Sequence, residues 1–372
     1  MTIAITTAYS SSGDWYIAEI VSHLAKKFPQ HKFIYIFNRP FNVGIISSTN
    51  ITAEITGSET KYPLLWTYWY NYKMTAVLQK HKADVLVCAG GICSLRTKIP
   101  QCLILQDLAF LYAPQFISKG ERRFFKRNTP KYLAKANRLV TVSRFSKTSI
   151  TDTYKFAAEK TDVVHAGINK VFGPIDEAEK VTIKEKYAEG KEYFLYSGTI
   201  ASQKNLINLL KAFSFFKKRQ KSNMLLLIAV DMNADHDEFI NGLKTFKFRH
   251  EVKSVGPLPA SDLALVFASA YAFVYPSGLE DPVLPALEAM QCGVPVITGN
   301  SGVTAELCGD AALYADPGDY SEMADKMMLL FKDESRKKEL IEKAIKQAVG
   351  FNPENAANQL WQSILKCFVP VN

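Results

Sequence analysis

From Ala272 to Thr298 the chain reads AFVYPSGLEDPVLPALEAMQCGVPVIT, and this stretch leaves few architectures open. Ala272-Phe273-Val274-Tyr275 is a short apolar run of the kind found in strands buried on both faces. Pro276-Ser277-Gly278 breaks it. A helix is expected from about Leu284-Pro285, because proline is well tolerated in a helix's first turn. Gly293 and Pro295 stop that helix, and Val294 to Thr298 read as the next strand. Strand, loop, helix, strand is the repeating unit of a parallel sheet. In such sheets ligands sit in the loops beyond the carboxyl ends of the strands.

Two carboxylates occupy this unit, Glu280 in the loop and Glu288 about one turn inside the helix. With Leu284, Leu287 and Met290 turned to the sheet, Pro285, Glu288 and Gln291 share another stripe. Both glutamates can then look into one crevice. The amides of Val283 and Leu284, freed at the helix start, suit an anion such as a phosphate. The plainer alternative leaves Glu288 solvated on an amphipathic helix.

The same unit recurs along the chain. Ile3 to Ala8 reads as a strand, Tyr9 to Asp14 as its loop with Gly13, and Trp15 to Phe28 as a helix. His31 to Asn38 is the next strand. That loop can approach a phosphate or be a plain turn. Asp84 to Ala89 and Gln101 to Leu105 are further strands, the second leading into Gln106-Asp107-Leu108. There Gln106 can bind but cannot act as a base, and Asp107 can cap the following turn. Arg138 to Ser143 is another strand, Val163 to Asn169 closes the first half, and polar 174–191 reads as a linker. Tyr193 to Gly198 is a strand whose loop carries Thr199 and Lys204 before a helix marked by Leu206, Leu209, Leu210 and Phe213. A lysine there reaches an anion at the helix start as a point charge. Strands follow at 224–230 and 252–255. Then come a helix capped by Ser261, one long helix over 321–348 and a last helix over 353–370. The expected division is 1–175, 176–352 and a terminal helical segment 353–372.

With 372 residues, 48% hydrophobic and 22% charged, the composition suits about two soluble domains. No apolar run reaches the roughly 18 residues of a membrane-spanning helix, and MTIAITTAYSSSGDW has no signal-peptide pattern. The six cysteines include no CxxC pair, so neither a zinc site nor a disulfide framework is expected, and a reducing cytoplasm is the default. The net charge of +9 is uneven: residues 1–175 carry 23 Lys and Arg against 10 Asp and Glu, the rest 22 against 26. Segment 119–138 alone has eight basic residues and one acid. Arg122, Arg123, Lys126 and Arg127, with Phe124, Phe125, Tyr132 and Leu133 between and after them, point to anionic lipid headgroups. No helix-turn-helix, RNP or KH pattern supports nucleic acid. Residues 61–82 form an aromatic-rich helix candidate, in which Trp66, Trp69 and Tyr70 suit core packing. Tyr62, Tyr68 and Tyr72 widen the aromatic surface toward a membrane interface or an acceptor sugar.

The spacing of Glu280 and Glu288, followed by LEAM-x-x-G-x-P-V from Leu287 to Val296, resembles the donor-site signature of family-4 retaining glycosyltransferases. Asn300 to Glu306, Gly309 to Pro317, Val140 to Ser146, Val163 to Asn169 and Gly198 to Phe213 resemble further segments of that family. The resemblance implies the α/β GT-B fold: two facing Rossmann-like domains with parallel sheets and a C-terminal helix returning to the first. It implies that Glu280 meets the transferred sugar, that Glu288 holds the ribose hydroxyls, and that Lys204 neutralises the diphosphate. Gly198, Thr199, Val283 and Leu284 then line the nucleotide, and Gly13, Gln106 and Asp107 the crevice. It further implies a nucleotide-sugar donor as substrate, no resident cofactor or metal, and a glycan or lipid-linked acceptor. The setting it implies is surface polysaccharide synthesis at the inner face of the plasma membrane. Four places depart from the family pattern: Asp281-Pro282-Val283 replaces G-F-G, Gln203 an arginine, Gln106 a histidine, and His165 an asparagine. The first three keep in view a GT-B protein that binds without transfer. Against the other rival, a nucleotide-sugar epimerase, Gln106 in place of histidine counts, since that activity wants acid–base residues in the crevice.

Overall fold

The apolar runs become two parallel sheets in the computed structural model, which describes residues 1–6, 14–38, 48–57, 62–198, 205–230, 237–278 and 283–369. The first sheet comprises β1 (Thr2–Thr6), β2 (Lys32–Phe37), β3 (Ile51–Ile55), β4 (Val85–Cys88), β5 (Gln101–Ile104), β6 (Arg138–Thr141) and β7 (Thr161–Val163). Their order is β3-β2-β1-β4-β5-β6-β7. The second comprises β8 (Tyr193–Ser197), β9 (Leu225–Ala229), β10 (Val252–Ser254), β11 (Ala272–Tyr275), β12 (Val296–Gly299) and β13 (Ala312–Ala315), in the order β10-β9-β8-β11-β12-β13. The described pairings are all parallel. β4, β5, β8, β9 and β11 are buried at every position. That is why they read as continuous apolar runs rather than alternating ones. In each sheet the chain steps outward on one side of the first strand and then crosses to its other side. The reversal opens a crevice beyond the carboxyl ends of β1 and β4, and of β8 and β11.

The chain divides into one unit of Met1–Gly167 with Asn352–Asn372 and another of Ile168–Phe351. The boundary lies earlier than 175 because Ile168 and Phe172 belong to the second core. Phe172 meets Phe267 edge-on at 5.5 Å, and the Ile168 amide donates to the Phe351 carbonyl at 2.9 Å. The expected linker is largely the helix Glu177–Ala188, capped by Asp176 and anchored by buried Ile183 and Ala188. Two buried apolar residues in a twelve-residue helix with seven charged or polar positions are too faint a stripe to read.

The helix Pro353–Lys366 belongs to the first unit and packs on Asp14–Lys27. Trp361 stacks on Phe28 at 4.3 Å and on His31 at 5.1 Å. Ser363 Oγ and Lys366 Nζ donate to Asp162 on β7 at 3.0 and 2.9 Å. At Gly167 a Cβ would lie 2.4 Å from Pro353 Cα and 2.6 Å from its nitrogen. Both are backbone atoms that no rotamer change can move. We expect Gly167→Ala to loosen this helix at a cost of about 1–3 kcal/mol. Faster amide exchange across 353–366 than in the wild type is the measurable sign, and unchanged exchange would contradict it.

Other elements differ from expectation. β3 was not foreseen: Thr52 and Glu54 break its apolar character, as suits an edge strand. The long helix is two, Tyr320–Lys332 and Glu334–Ala348, because Asp333 ends the first and accepts from the Arg336 amide to cap the second. Ser261 does not cap its helix, which begins at Ala260 after Pro259. Segment 119–138 is largely the helix Lys119–Lys135, with Phe124, Tyr132 and Leu133 in the core of the first unit and Phe125 packed against it. Those rings are therefore not a lipid-facing surface. Arg123, Lys126 and Arg127 are exposed, whereas Arg122 is half-buried.

Candidate functional site

The second sheet's reversal point gathers the segments that the sequence marked. β8 ends in Ser197 and leads to Gly198 at φ +145°, a conformation that side chains rarely adopt. A Cβ there would stand 3.3 Å from Tyr196 Oη. Beside it β11 ends in Tyr275, whose ring stacks on Tyr196 at 6.3 Å. Asn205 sits in the left-handed region at φ 51° and opens the helix Leu206–Gln220. Its Nδ2 donates to the Pro276 carbonyl at 3.1 Å, tying the segment after β8 to the loop after β11. Sequence reasoning passed over Asn205, although asparagine before a helical run is one of the few residues that tolerates this backbone.

The loop after β11 leads to the helix Leu284–Gln291. Leu284, Ala286, Leu287, Ala289 and Met290 are all buried, and Gln291 Nε2 donates to the Phe172 carbonyl at 2.6 Å. Glu288 is buried with them at 7% exposure. The solvated alternative for Glu288 is thereby overturned. Burial pushes the Glu288 carboxyl up to about 8. No hydrogen-bond or ion-pair partner meets that carboxyl among the described residues. A buried acid in this state favours any ligand that donates hydrogen bonds to it.

The helix ends along this edge differ in a telling way. Ser301 and Thr304 close the start of Gly302–Cys308 with a capping box, and Asp319 accepts from the amides of Ser321 and Glu322. The helices that begin at Leu206 and Leu284, beside the reversal point, carry no side-chain cap from the described residues. Their amides and dipoles remain available to an anion. Gly198, Val283, Leu284 and Glu288 thus lie on one edge of one sheet. Glu280, Lys204, Thr199 and Gly13 lie outside the described residues, as do Gln203, Asp281 and Pro282.

In the first unit, Gln106 follows β5, and its carbonyl accepts from Thr141 Oγ1 at 3.3 Å. Its Nε2 is buried without a hydrogen-bond partner among the described residues. Asp107 Oδ1 accepts from the Ala109 amide at 2.8 Å, a local turn bond before the short helix Ala109–Tyr112, whose N-cap position is Leu108. His165 Nδ1 pairs with the Val142 carbonyl at 3.0 Å.

This edge of a doubly wound sheet, with a buried acid and two open helix ends, accords with the comparisons of the chain with known proteins. Residues 16–171 match the model described as Glycosyltransferase Family 4, and residues 178–347 match that of Glycosyl transferases group 1. The chain is a group 1, family 4 glycosyltransferase. This glycosyltransferase is 28% identical to O-antigen chain mannosyltransferase B of Escherichia coli over 254 residues, 68% of its own chain and 67% of the relative. It is 29% identical to O-antigen chain mannosyltransferase RfbU of Salmonella typhimurium over 280 residues, 74% and 73% of the two chains. Its fold matches the crystal structure of Anabaena HepE in complex with UDP and glucose, with a TM-score of 0.79 and 16% identity, covering 98% and 99% of the two chains. The glycosyltransferase therefore has the GT-B fold.

Proposed function

We propose that this glycosyltransferase moves mannose from a nucleoside diphosphate mannose onto a growing surface polysaccharide, with retention of configuration. The observation that carries the sugar and the setting is that two relatives of similar extent are both O-antigen chain mannosyltransferases. In this reading the bond from the sugar's anomeric carbon to the diphosphate oxygen breaks. A bond to an acceptor hydroxyl oxygen forms, and that hydroxyl's proton leaves with the diphosphate. Glu288 accepts hydrogen bonds from the two ribose hydroxyls. The open helix starts at Leu206 and Leu284, with Lys204, offset the charge that grows on the leaving diphosphate. Glu280 orients the sugar hydroxyls and favours the oxocarbenium-like transition state. The scheme calls for no metal, and the donor is a substrate rather than a cofactor. The acceptor is a glycan or a lipid-linked glycan at the inner face of the plasma membrane. There each exposed cation of Lys119–Lys135 near anionic headgroups contributes about 1 kcal/mol. Nucleic acid is not among the partners.

Thermal unfolding with GDP, UDP, ADP, dTDP and CMP tests the donor site. One nucleoside diphosphate should stabilise the protein by about 2.7 kcal/mol at a hundredfold excess over its Kd. Incubation with GDP-mannose and a polysaccharide primer should then yield mannosylated product. Silence from every nucleotide would remove the transfer mechanism. Transfer of glucose from UDP-glucose in place of mannose would remove the sugar assignment and leave the site.

A further inference from the structure

Residues 63–80 form one helical run with a π turn at Trp69–Lys73. Its inward side, Trp66, Trp69, Tyr70 and Met74, lies in the core of the first unit. Its outward side is unusual. Leu64 is 83% exposed, and Leu65, Tyr68 and Tyr72 are each about half exposed. Their spacing places them on one stripe. The Tyr68 and Tyr72 rings stack at 5.1 Å. Two leucines and two tyrosines open to solvent along one stripe form a largely apolar surface, at whose end the Arg96 guanidinium lies 4.6 Å over the Tyr72 ring and donates to its hydroxyl.

The neighbouring helix decides what covers it. Lys119–Lys135 meets this run where Trp66 contacts Phe124 edge-on at 5.5 Å and Phe125 at 6.1 Å. Both helices cover the same face of the first sheet, since Trp66, Phe124 and Tyr132 share a core with Ala4, Leu86, Cys88 and Leu103. Their outer sides therefore turn away from the same sheet face. On the outer side of Lys119–Lys135, Arg123, Lys126, Arg127 and Lys131 are exposed, and none has an ion-pair partner among the described residues. A nucleic acid would use the cations but leave the leucines in water. A neutral glycan could stack on the tyrosines but has no use for the cations. An anionic phospholipid layer uses both: phosphates meet the cations, leucines reach the acyl boundary, and tyrosines sit at headgroup level.

We infer that Leu64, Leu65, Tyr68 and Tyr72 insert into the headgroup layer of an anionic membrane beside the cations of the next helix. The inference rests on the membrane reading proposed above and assigns the inserting element to a different helix from the charged one. Co-sedimentation of the full-length protein with phosphatidylcholine vesicles, with and without phosphatidylglycerol, tests it at low and high salt. The wild type should bind the anionic vesicles and keep part of that binding at high salt. The Leu64→Ser/Leu65→Ser/Tyr68→Ser variant, with its melting temperature unchanged, should lose roughly tenfold in binding, including the salt-resistant part. The Arg123→Gln/Lys126→Gln/Arg127→Gln variant should lose the salt-sensitive part. Equal binding by the wild type and the apolar variant would overturn the insertion stripe while leaving headgroup attraction intact. Absence of binding to anionic vesicles by the wild type would overturn the membrane reading and this inference together.

Discussion

Replacing Gly299 by alanine is expected to destabilise the protein by about 3–5 kcal/mol. Gly299 ends β12, and the loop that follows β11 passes directly over it. A Cβ at Gly299 would stand 2.0 Å from the Ser277 carbonyl oxygen, 2.9 Å from its carbon and 2.8 Å from Pro317 Cγ. Two of those atoms are backbone and one is in a proline ring, so no rotamer change relieves the overlap. Either β12 slips against β11, breaking the register of Val274 with Ile297 and Tyr275 with Thr298, or the loop lifts. The second outcome displaces the segment leading to Glu280 and Leu284, so nucleotide binding falls even in molecules that stay folded. Urea unfolding followed by circular dichroism measures the first effect, and nucleotide-dependent melting the second. A Gly299→Ala protein with wild-type midpoint and wild-type nucleotide response would show that the close approach is not real.

Glu288 carries the second large expectation. In the folded protein its carboxyl titrates near 8, against an ordinary glutamate value of 4.5. Between those values the folded chain holds a proton that the unfolded chain has lost. Stability from this group is therefore fully present below about pH 4.5 and disappears as pH rises through about 8. At about 1.4 kcal/mol per pKa unit, the loss amounts to roughly 5 kcal/mol over the window. Glu288→Gln is neutral throughout, so its unfolding free energy should lack this decline, and variant and wild type should diverge most above pH 8. Parallel pH profiles would mean that the carboxyl is not buried as described. Binding gives an independent readout. Ribose hydroxyls donate to the ionised form, so wild-type nucleotide affinity should rise between pH 6 and 8. Glu288→Ala should lose roughly 100-fold in affinity, the worth of two hydrogen bonds to a charged acceptor. An alanine variant with undiminished affinity would remove Glu288 from the ribose site.

Much of the fold was legible because the strands are buried on both faces. VLVC, LLLIA and AFVY have no strongly polar position to confuse the pattern, YFLYS has only its final serine, and Gly293-Val294-Pro295 marks a helix end without ambiguity. What escaped notice depended on tertiary contacts. β3 pairs along one side only and tolerates Glu54, which forms an ion pair with Lys80 and a hydrogen bond with His81 instead of facing a core. Phe124 and Tyr132 looked like lipid-seeking rings because they alternate with arginines and lysines. A helix laid over a sheet sends those positions inward and the cations outward. At the site, the spacing of Glu280 and Glu288 and the open helix start at Leu284 were visible in the letters. The burial of Glu288 was not, because the same stripe of letters suits a solvated face as well as a buried one. The tie from Asn205 to Pro276 spans 71 positions and has no local signature.

The return of residues 352–372 to the first unit has a consequence for the order in which the molecule is made. During synthesis Ile168–Phe351 is complete once Phe351 has left the ribosome, because every residue of that unit is contiguous. The first unit begins the chain but waits for its end. Until Pro353 reaches Gly167, Trp361 covers Phe28 and Ser363 meets Asp162, it has an apolar helix face with nothing on it. The half that emerges first is therefore finished last, and in the nascent chain the open groove along Asp14–Lys27 is the surface that a chaperone would find.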